Sequence, residues 1–349
     1  MNDSQHIRYP APLRPGDTIG ITAPSSGVAE ACHRRLDLCI EHLRSLGFDV
    51  REGECLRCND GYVSGAPDAR ARDLMALWTD PQIKAILPPW GGELGVGLLE
   101  RIDFDAMAAA TPTWILGYSD TSTLLFALTT RTGIATAHGT TLMEMVAAQA
   151  DPLTRGWADV LAMDAGGRIE QRSSEAFQVT GPRWEQQPEA AFNLTEPTRW
   201  RCMQGGRDLD ACSFRGRLIG GCVDTIAHLA GSPYGDLDAF KRRCAGDGVI
   251  LYLENAECTP ERLCRALWGL RLAGWLTGLT GLLLGRSYPP DGKTLTYLDA
   301  LHAVLDDLPL AVIYDADLGH RPPQMTLVNG AVATVEATGG AGRVAIEFL

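Results

Sequence analysis

Two spacings of apolar residues alternate through the first half of the chain. Short uninterrupted apolar runs mark buried strands, and stretches with apolar residues every three or four positions mark helices packed on one face. Asp17-Thr18-Ile19-Gly20-Ile21-Thr22 predicts a first strand ending in the loop Ala23-Pro24-Ser25-Ser26. Leu36, Ile40, Leu43 and Leu46 share a helical face, and Gly47 stops that helix. Phe48-Asp49-Val50 opens a second strand, and residues 68–79 form a helix carrying Leu74, Leu77 and Trp78. Ile83-Lys84-Ala85-Ile86-Leu87 is a strand running into Pro88-Pro89-Trp90-Gly91-Gly92-Glu93. Thr113-Trp114-Ile115-Leu116 and Ile134-Ala135-Thr136-Ala137-His138 are further strands, with a helix marked by Leu124, Leu125 and Leu128 between them. Strands alternating with helices imply parallel βαβ units and a doubly wound α/β sheet. Ligands bind such sheets beyond the carboxyl ends of the strands. The Pro24-Ser25-Ser26 loop, the Trp90-Gly91-Gly92 loop and the turn at Ser119 are expected to meet there.

The pattern changes after the last of these strands. Residues 1–165 are read as the first domain. Residues 166–215 are less periodic and are read as a linker and substrate-recognition loop, with a polar, proline-bearing stretch over 181–213 that contains Trp184 and Trp200. Residues 216–349 are read as a smaller α/β domain. Gly248-Val249-Ile250-Leu251-Tyr252-Leu253-Glu254 is an apolar strand ending in a carboxylate, followed by a helix with Leu263, Leu267 and Leu270. Leu282-Leu283-Leu284-Gly285 and Leu310-Ala311-Val312-Ile313-Tyr314 are also strands. Met325 to Val332 is expected to be a hairpin with Asn329-Gly330 in its turn. Gly339-Gly340 marks a second turn, so this domain ends in antiparallel ribbon.

The 349 residues suit two domains, and 45% hydrophobic with 21% charged residues is an ordinary globular composition. A formal net charge of −12 argues against nucleic acid or an anionic membrane surface as partner, since both need a basic face. No apolar run approaches bilayer-spanning length. Met1-Asn2-Asp3-Ser4-Gln5-His6 lacks the basic-then-apolar form of a signal peptide, so a cytoplasmic location is expected. The ten cysteines form no framework; Cys55-x-x-Cys58 stands without a second pair at zinc-site spacing, and reduced thiols are expected.

Candidate chemistry centres on Gly117-Tyr118-Ser119-Asp120-Thr121. A serine on a strand-to-helix turn is held clear of its neighbours, with the N–H groups and positive dipole end of a helix behind it. Thr121 stands where a nucleophile elbow would carry its second glycine, and a helix-capping role for Ser119 fits the local pattern equally well. A nucleophilic hydroxyl needs a base, and the base an orienting acid. Of the seven histidines, His6, His33, His42 and His302 are read as surface residues and His228 as a packed one. His138 ends a first-domain strand near the crevice, and His320 follows a buried strand in the loop Asp315-Ala316-Asp317-Leu318-Gly319. His320 ranks slightly above His138. Glu254, at the end of an apolar strand, is the natural orienter.

Taken in order, Pro24-Ser25, Trp90-Gly91-Gly92, Gly117-Tyr118-Ser119-Asp120, Gly220-Gly221, Leu253-Glu254-Asn255-Ala256-Glu257 and Leu318-Gly319-His320 resemble the LD-carboxypeptidase family of serine peptidases. That family includes muramoyl-tetrapeptide carboxypeptidases and microcin C self-immunity proteins. The resemblance implies a flavodoxin-like first domain and a smaller α/β second domain facing each other across a cleft. It implies a Ser119-Glu254-His320 triad and an oxyanion hole made by the Gly92 and Asp120 N–H groups. It also implies a homodimer that needs no metal or other cofactor. Gly231-Ser232-Pro233-Tyr234 and the tryptophans of 181–213 point to the immunity branch, in which loop aromatics stack on the adenine of an aminoacyl-nucleotide. Trp200 is preferred over Trp184 for that role, and Trp90 and Ser25 are the remaining substrate-binding candidates; packing at an interface or in the loop is the alternative for the tryptophans. The expected substrate is therefore an amide-linked aminoacyl-nucleotide of the processed-microcin kind. The alternatives are a murein tetrapeptide and, in a different class, a small ligand bound without chemistry.

Overall fold

The computed structural model describes residues 6–146 and 151–349. Among the described residues, the five expected strands of the first half are β1 (Thr18–Ile21), β2 (Asp49–Glu52), β3 (Ile83–Ile86), β4 (Trp114–Gly117) and β5 (Thr136–His138). They pair in parallel in the order β5-β4-β3-β1-β2, with helices His33–Ser45, Pro67–Thr79 and Thr121–Thr132 between successive strands. The helix Thr121–Thr132 is buried along nearly its whole length, because it also packs against a strand of the second sheet. It ends at Gly133, whose φ of 71° is the left-handed cap that glycine adopts without steric cost.

The stretch expected as a linker is built largely of strands. β6 (Arg168–Arg172), β7 (Ala176–Gln178), β8 (Leu194–Pro197), β9 (Arg201–Gln204), β10 (Arg207–Leu209) and the first part of β11 (Ala211–Cys222) lie in residues 166–215. β7 and β8 form a small antiparallel ribbon. The others join β12 (Val249–Glu254), β13 (Gly281–Gly285), β14 (Ala311–Ala316), β16 (Val332–Thr338) and β17 (Ala341–Glu347) in one sheet of order β10-β9-β14-β13-β12-β11-β16-β17-β6. The outer strands are short and polar, and their exposed edge positions carry little periodic signal. The central parallel strands are apolar throughout: every residue of β12 and β13 is buried, as expected of parallel strands covered on both faces.

The Gly339-Gly340 turn joins β16 and β17 as an antiparallel hairpin. The Asn329-Gly330 turn differs from expectation. β15 (Leu327–Asn329) pairs antiparallel with β5 on the edge of the first sheet, whereas β16 pairs with β11 in the second. The turn therefore crosses between sheets. Asn329 fixes this crossing: its fully buried Oδ1 accepts from the Gly220 N–H at 3.1 Å and the Tyr252 hydroxyl at 2.7 Å, and its Nδ2 donates to Thr136 Oγ1 at 3.1 Å. One side chain thus ties β11 and β12 to β5.

Asn329→Ala would strand the buried Gly220 N–H and Tyr252 hydroxyl, each costing about 1–3 kcal/mol when unpaired, whereas Thr136 Oγ1 keeps Thr129 Oγ1 and the Leu125 carbonyl as partners. Chemical denaturation is expected to show a loss of roughly 2–5 kcal/mol. A loss below about 0.5 kcal/mol, the range of neutral surface changes, would show that the two sheets are held together by apolar packing alone.

Candidate active site

Ser119 is held by strain and by space. The buried strand β4 delivers the chain to a tight turn, where the Ser122 N–H donates to Ser119 O at 2.9 Å and the Thr123 N–H to Asp120 O at 3.1 Å. Ser119 has φ of 59°, a left-handed conformation uncommon outside glycine and asparagine that costs on the order of 1–3 kcal/mol. Two glycines leave room for it. A Cβ on Gly117 would lie 3.0 Å from Thr121 Cγ2, so Gly117 accommodates the threonine that replaces an elbow's second glycine. A Cβ on Gly91 would lie 2.6 Å from Ser119 Cβ and 2.7 Å from its Oγ. These positions put the turn in the strained geometry of an elbow, beyond what a helix cap requires.

His320 reaches Ser119 from the second sheet. Its loop leaves β14 through Asp317, which is buried and accepts from both Arg286 terminal nitrogens at 3.0 Å, from Trp200 Nε1 at 2.7 Å and from the Ser174 N–H at 3.2 Å. Arg286 also donates to the carbonyls of Arg321 and Pro323, so the loop is gripped on both sides of the histidine. Gly319 has φ of 85°, and a Cβ there would strike Glu254 Oε2. His320 Nε2 lies 3.1 Å from Ser119 Oγ, and its Nδ1 lies 2.8 Å from Glu254 Oε2. Burial disfavours the imidazolium, but the adjacent Glu254 carboxylate outweighs it and holds the His320 pKa above the ordinary histidine value. A serine, an imidazole and a carboxylate in this order can pass a proton from hydroxyl to ring while the carboxylate stabilises the imidazolium that forms.

His138 does not enter this chain. It is fully buried, neither ring nitrogen has a hydrogen-bond partner among the described residues, and burial lowers its pKa to about 4. Its ring lies edge-on to Tyr252 and Tyr118 with centroids 5.2 and 6.2 Å away, where it packs as a neutral aromatic. His228, expected to be packed, is instead exposed and lines the cleft.

The loops expected to meet do so. The Ser26 N–H donates to Gly91 O at 3.1 Å. The Asp120 carboxylate is buried and accepts from Ser25 Oγ at 2.5 Å and the Gly95 N–H at 2.6 Å. Burial pushes the Asp120 pKa up, partly offset by the Ser25 and Gly95 hydrogen bonds. Among the described residues, neither the Gly92 nor the Asp120 N–H donates to another group of the protein. Both residues line the cleft beside Ser119.

The cleft has a volume of about 830 Å³ and runs from Ser119 and His320 past Asp224 and Glu257 to Arg262 and Arg265. The second-domain part of this lining was not anticipated from the sequence. Asp224 shapes it by accepting from the Ala256 and Glu257 N–H groups at 2.9 Å, which folds the loop after Glu254. The expected substrate-binding residues lie outside the lining, and each has a structural partner. Ser25 buttresses Asp120. Trp90 Nε1 donates to Ser26 O at 3.1 Å and to Gly27 O at 3.2 Å. Trp184 sits with the Arg35 guanidinium 4.5 Å from its ring centre, and Arg35 pins the Pro188 and Ala190 carbonyls of the same loop. Trp200 is buried beneath β17 and its N–H is committed to Asp317, so it holds the His320 loop and leaves no face for a base. The expectation of Trp200 as a stacking platform is corrected accordingly. Cys55 is buried with its thiol pKa pushed up to about 11 by burial, and Cys58 is exposed; neither is in a disulfide. Among the described residues, Cys222, Glu254 and His320 form a group whose ligand atoms lie close enough together to hold a cation.

Comparison with known proteins identifies the family of the chain. A model of the LD-carboxypeptidase N-terminal domain matches residues 19–139, and one of the LD-carboxypeptidase C-terminal domain matches residues 215–335. The chain is 27% identical to the microcin C7 self-immunity protein MccF of Escherichia coli, over 96% of this chain and 95% of that protein. It is 28% identical to a probable murein peptide carboxypeptidase of Bacillus subtilis, over 93% and 91%, and 30% identical to a putative carboxypeptidase of Streptomyces coelicolor, over 95% and 94%. The solved structure of MccF with aspartyl sulfamoyl adenosine superposes with a TM-score of 0.82 at 24% identity, over 97% of this chain and 99% of that one. Among the described residues, no helix is long and apolar enough to cross a membrane. With both family domains matched in order along one chain, the protein belongs to the LD-carboxypeptidase family of serine peptidases and is a hydrolase.

Proposed function

We propose that Ser119 is the nucleophile, His320 the general base and acid, and Glu254 the orienting carboxylate of an amide hydrolase. The observation that carries this reading is the continuous chain Ser119 Oγ–His320 Nε2, 3.1 Å, and His320 Nδ1–Glu254 Oε2, 2.8 Å. His320 Nε2 takes the Ser119 proton as Oγ attacks the amide carbonyl carbon. The Gly92 and Asp120 N–H groups receive the oxyanion, a contribution worth several kcal/mol per donor in such sites. The imidazolium, stabilised by Glu254, gives its proton to the leaving nitrogen. Water, deprotonated by His320, then attacks the acyl-serine and releases the acid.

The lining favours a peptide as substrate. Among the described residues that line the cleft, none is tryptophan, tyrosine or phenylalanine, which leaves a nucleobase bound there the smaller rings of His228 and His320 to stack on. Charged groups of both signs, including Glu93, Glu257, Arg262 and Arg265, suit a zwitterionic peptide end. The B. subtilis relative's description as a probable murein peptide carboxypeptidase fits that chemistry. Hydrolysis of an aminoacyl sulfamoyl nucleoside is the second reading, favoured by the near full-length match to MccF.

Mass-spectrometric product analysis with murein tetrapeptide and aspartyl sulfamoyl adenosine side by side separates these readings. Release of the terminal alanine, with turnover reduced at least about 10³-fold in Ser119→Ala, is the expected result. Retained turnover in Ser119→Ala would overturn the serine mechanism, and cleavage of the nucleotide alone would overturn the peptide reading. Glu254→Gln is expected to lower kcat by about 10²–10⁴-fold with little change in KM, because it disturbs the base and not the cleft. Gly91→Ala is expected to fold and to lose about 10²-fold in kcat, since displacing a reacting atom by about 1 Å has that effect. Unchanged kcat in Gly91→Ala would mean that Ser119 has freedom this structure denies it.

A further inference from the structure

We propose that Cys222, Glu254 and His320 form a binding site for a thiophilic divalent cation of the zinc class, and that its occupancy shuts off hydrolysis. The inhibition rests on His320 being the base, as proposed above; the binding site does not.

Three independent features of the fold bring these residues together. Cys222 is the last residue of β11 and Glu254 the last of β12, and the parallel register pairs them directly. The loop after β14 brings His320 onto the same end of the sheet. One ligand atom from each residue lies within 4.8 Å of the other two. Sulfur, carboxylate oxygen and imidazole nitrogen form a donor set that zinc accepts, and three protein ligands with an open fourth position describe an accessible tetrahedral site. Cys222 and His320 line the cleft, which provides a route of entry and room for a water as fourth ligand. Glu93, Asp120, Asp224 and Glu257 around the same cleft outnumber Arg262 and Arg265 and favour the entry of a cation.

The site has capacity that the hydrolytic chain leaves unused. Glu254 is buried, and among the described residues its Oε1 accepts from no N–H or O–H group, the Cys222 thiol being its neighbour. A buried carboxylate oxygen without such a donor bears a desolvation cost that a cation would relieve. Cys222 is also buried, and its thiol lies against two carboxylates, with Asp224 Oδ2 at 3.4 Å and Glu254 beside it. Neither group is asked to move a proton in the proposed reaction.

Coordination is incompatible with base catalysis whichever ring nitrogen the cation takes. The Cys222 thiol proton leaves to solvent as the Sγ–cation bond forms. If Nε2 is ligated, its lone pair can no longer accept the Ser119 proton. If Nδ1 is ligated, its bond to Glu254 breaks and the ring proton shifts to Nε2, which then has no lone pair to offer.

The test uses the chelator-treated full chain and cobalt(II) as a spectroscopic stand-in for zinc. One equivalent of Co²⁺ is expected to give a thiolate-to-cobalt charge-transfer band in wild type and in Ser119→Ala, displaced by Zn²⁺ and absent in Cys222→Ser and Cys222→Ala. The band is read without turnover, so failure of the site and failure of the hydrolase reading are separate results. In the turnover assay, Zn²⁺ is expected to inhibit wild type reversibly on addition of chelator. The concentration for half-inhibition, measured against each variant's own metal-free rate, is expected to rise at least tenfold in Cys222→Ser, about the minimum expected for loss of a ligand. No thiolate band at saturating Co²⁺, or equal inhibition of wild type and Cys222→Ser, would overturn the proposal. So would chelation abolishing turnover with zinc restoring it, since the cation would then be a participant and not an inhibitor.

Discussion

The 3.1 Å approach of His320 Nε2 to Ser119 Oγ joins residues 201 positions apart that are carried by different sheets. A hydrogen bond of that kind contributes only about 1 kcal/mol net, so it cannot itself hold two sheets in register. The register is supplied elsewhere. Asn329 binds groups of β5, β11 and β12 together, and the helix behind Ser119 is packed against β11. The Ser122 hydroxyl accepts from the Cys222 N–H at 3.1 Å across the same seam, where Gly221 leaves room for it. Positioning is thus spread over buried groups that never touch a substrate.

The same division of labour explains the environment of the imidazole. A histidine buried without a carboxylate in hydrogen-bonding reach becomes neutral and stays so, as His138 does even with Glu254 acting on it from further off. His320, partly open to the cleft, has the Glu254 carboxylate at 2.8 Å, and its pKa moves the other way. Two histidines a short distance apart in one fold therefore have opposite tendencies, set by whether a carboxylate lies within hydrogen-bonding reach. Asp317 plays a supporting role from further back. Its bonds to Arg286, Trp200 and Ser174 fix the loop whose last residue is the base, which makes a buried ion pair and a buried indole part of the site's architecture.

Much of the first sheet was legible in the sequence because each parallel strand is an apolar run bounded by a helix with one apolar face. The elbow was legible from Gly117 and Ser119, and Glu254 from its place at the end of an apolar strand. What was not legible has specific causes. Asn329-Gly330 announces a turn, but turn chemistry does not say which sheets the flanking strands join. The strands of 168–209 lie toward sheet edges and in a ribbon, where alternating exposure leaves a polar composition indistinguishable from a loop. His138 ends a buried strand and His320 follows one, and only the pairing order decides which reaches Ser119. Trp200 looks alike in sequence whether it stacks on a ligand or donates to a buried aspartate. Cys222 reads as a small core residue until its register with Glu254 is known.

The central claim is that Glu254 fixes His320 in the tautomer that can accept a proton from Ser119. Nitrogen-15 NMR of the protein labelled at histidine tests this directly, at a pH where His320 is neutral. The account requires Nδ1 of His320 to carry the proton and Nε2 to be unprotonated, with the Nδ1 proton resonance lost in Glu254→Gln. A neutral His320 protonated on Nε2 would contradict it, because that ring could not take the serine proton in the arrangement the structure presents.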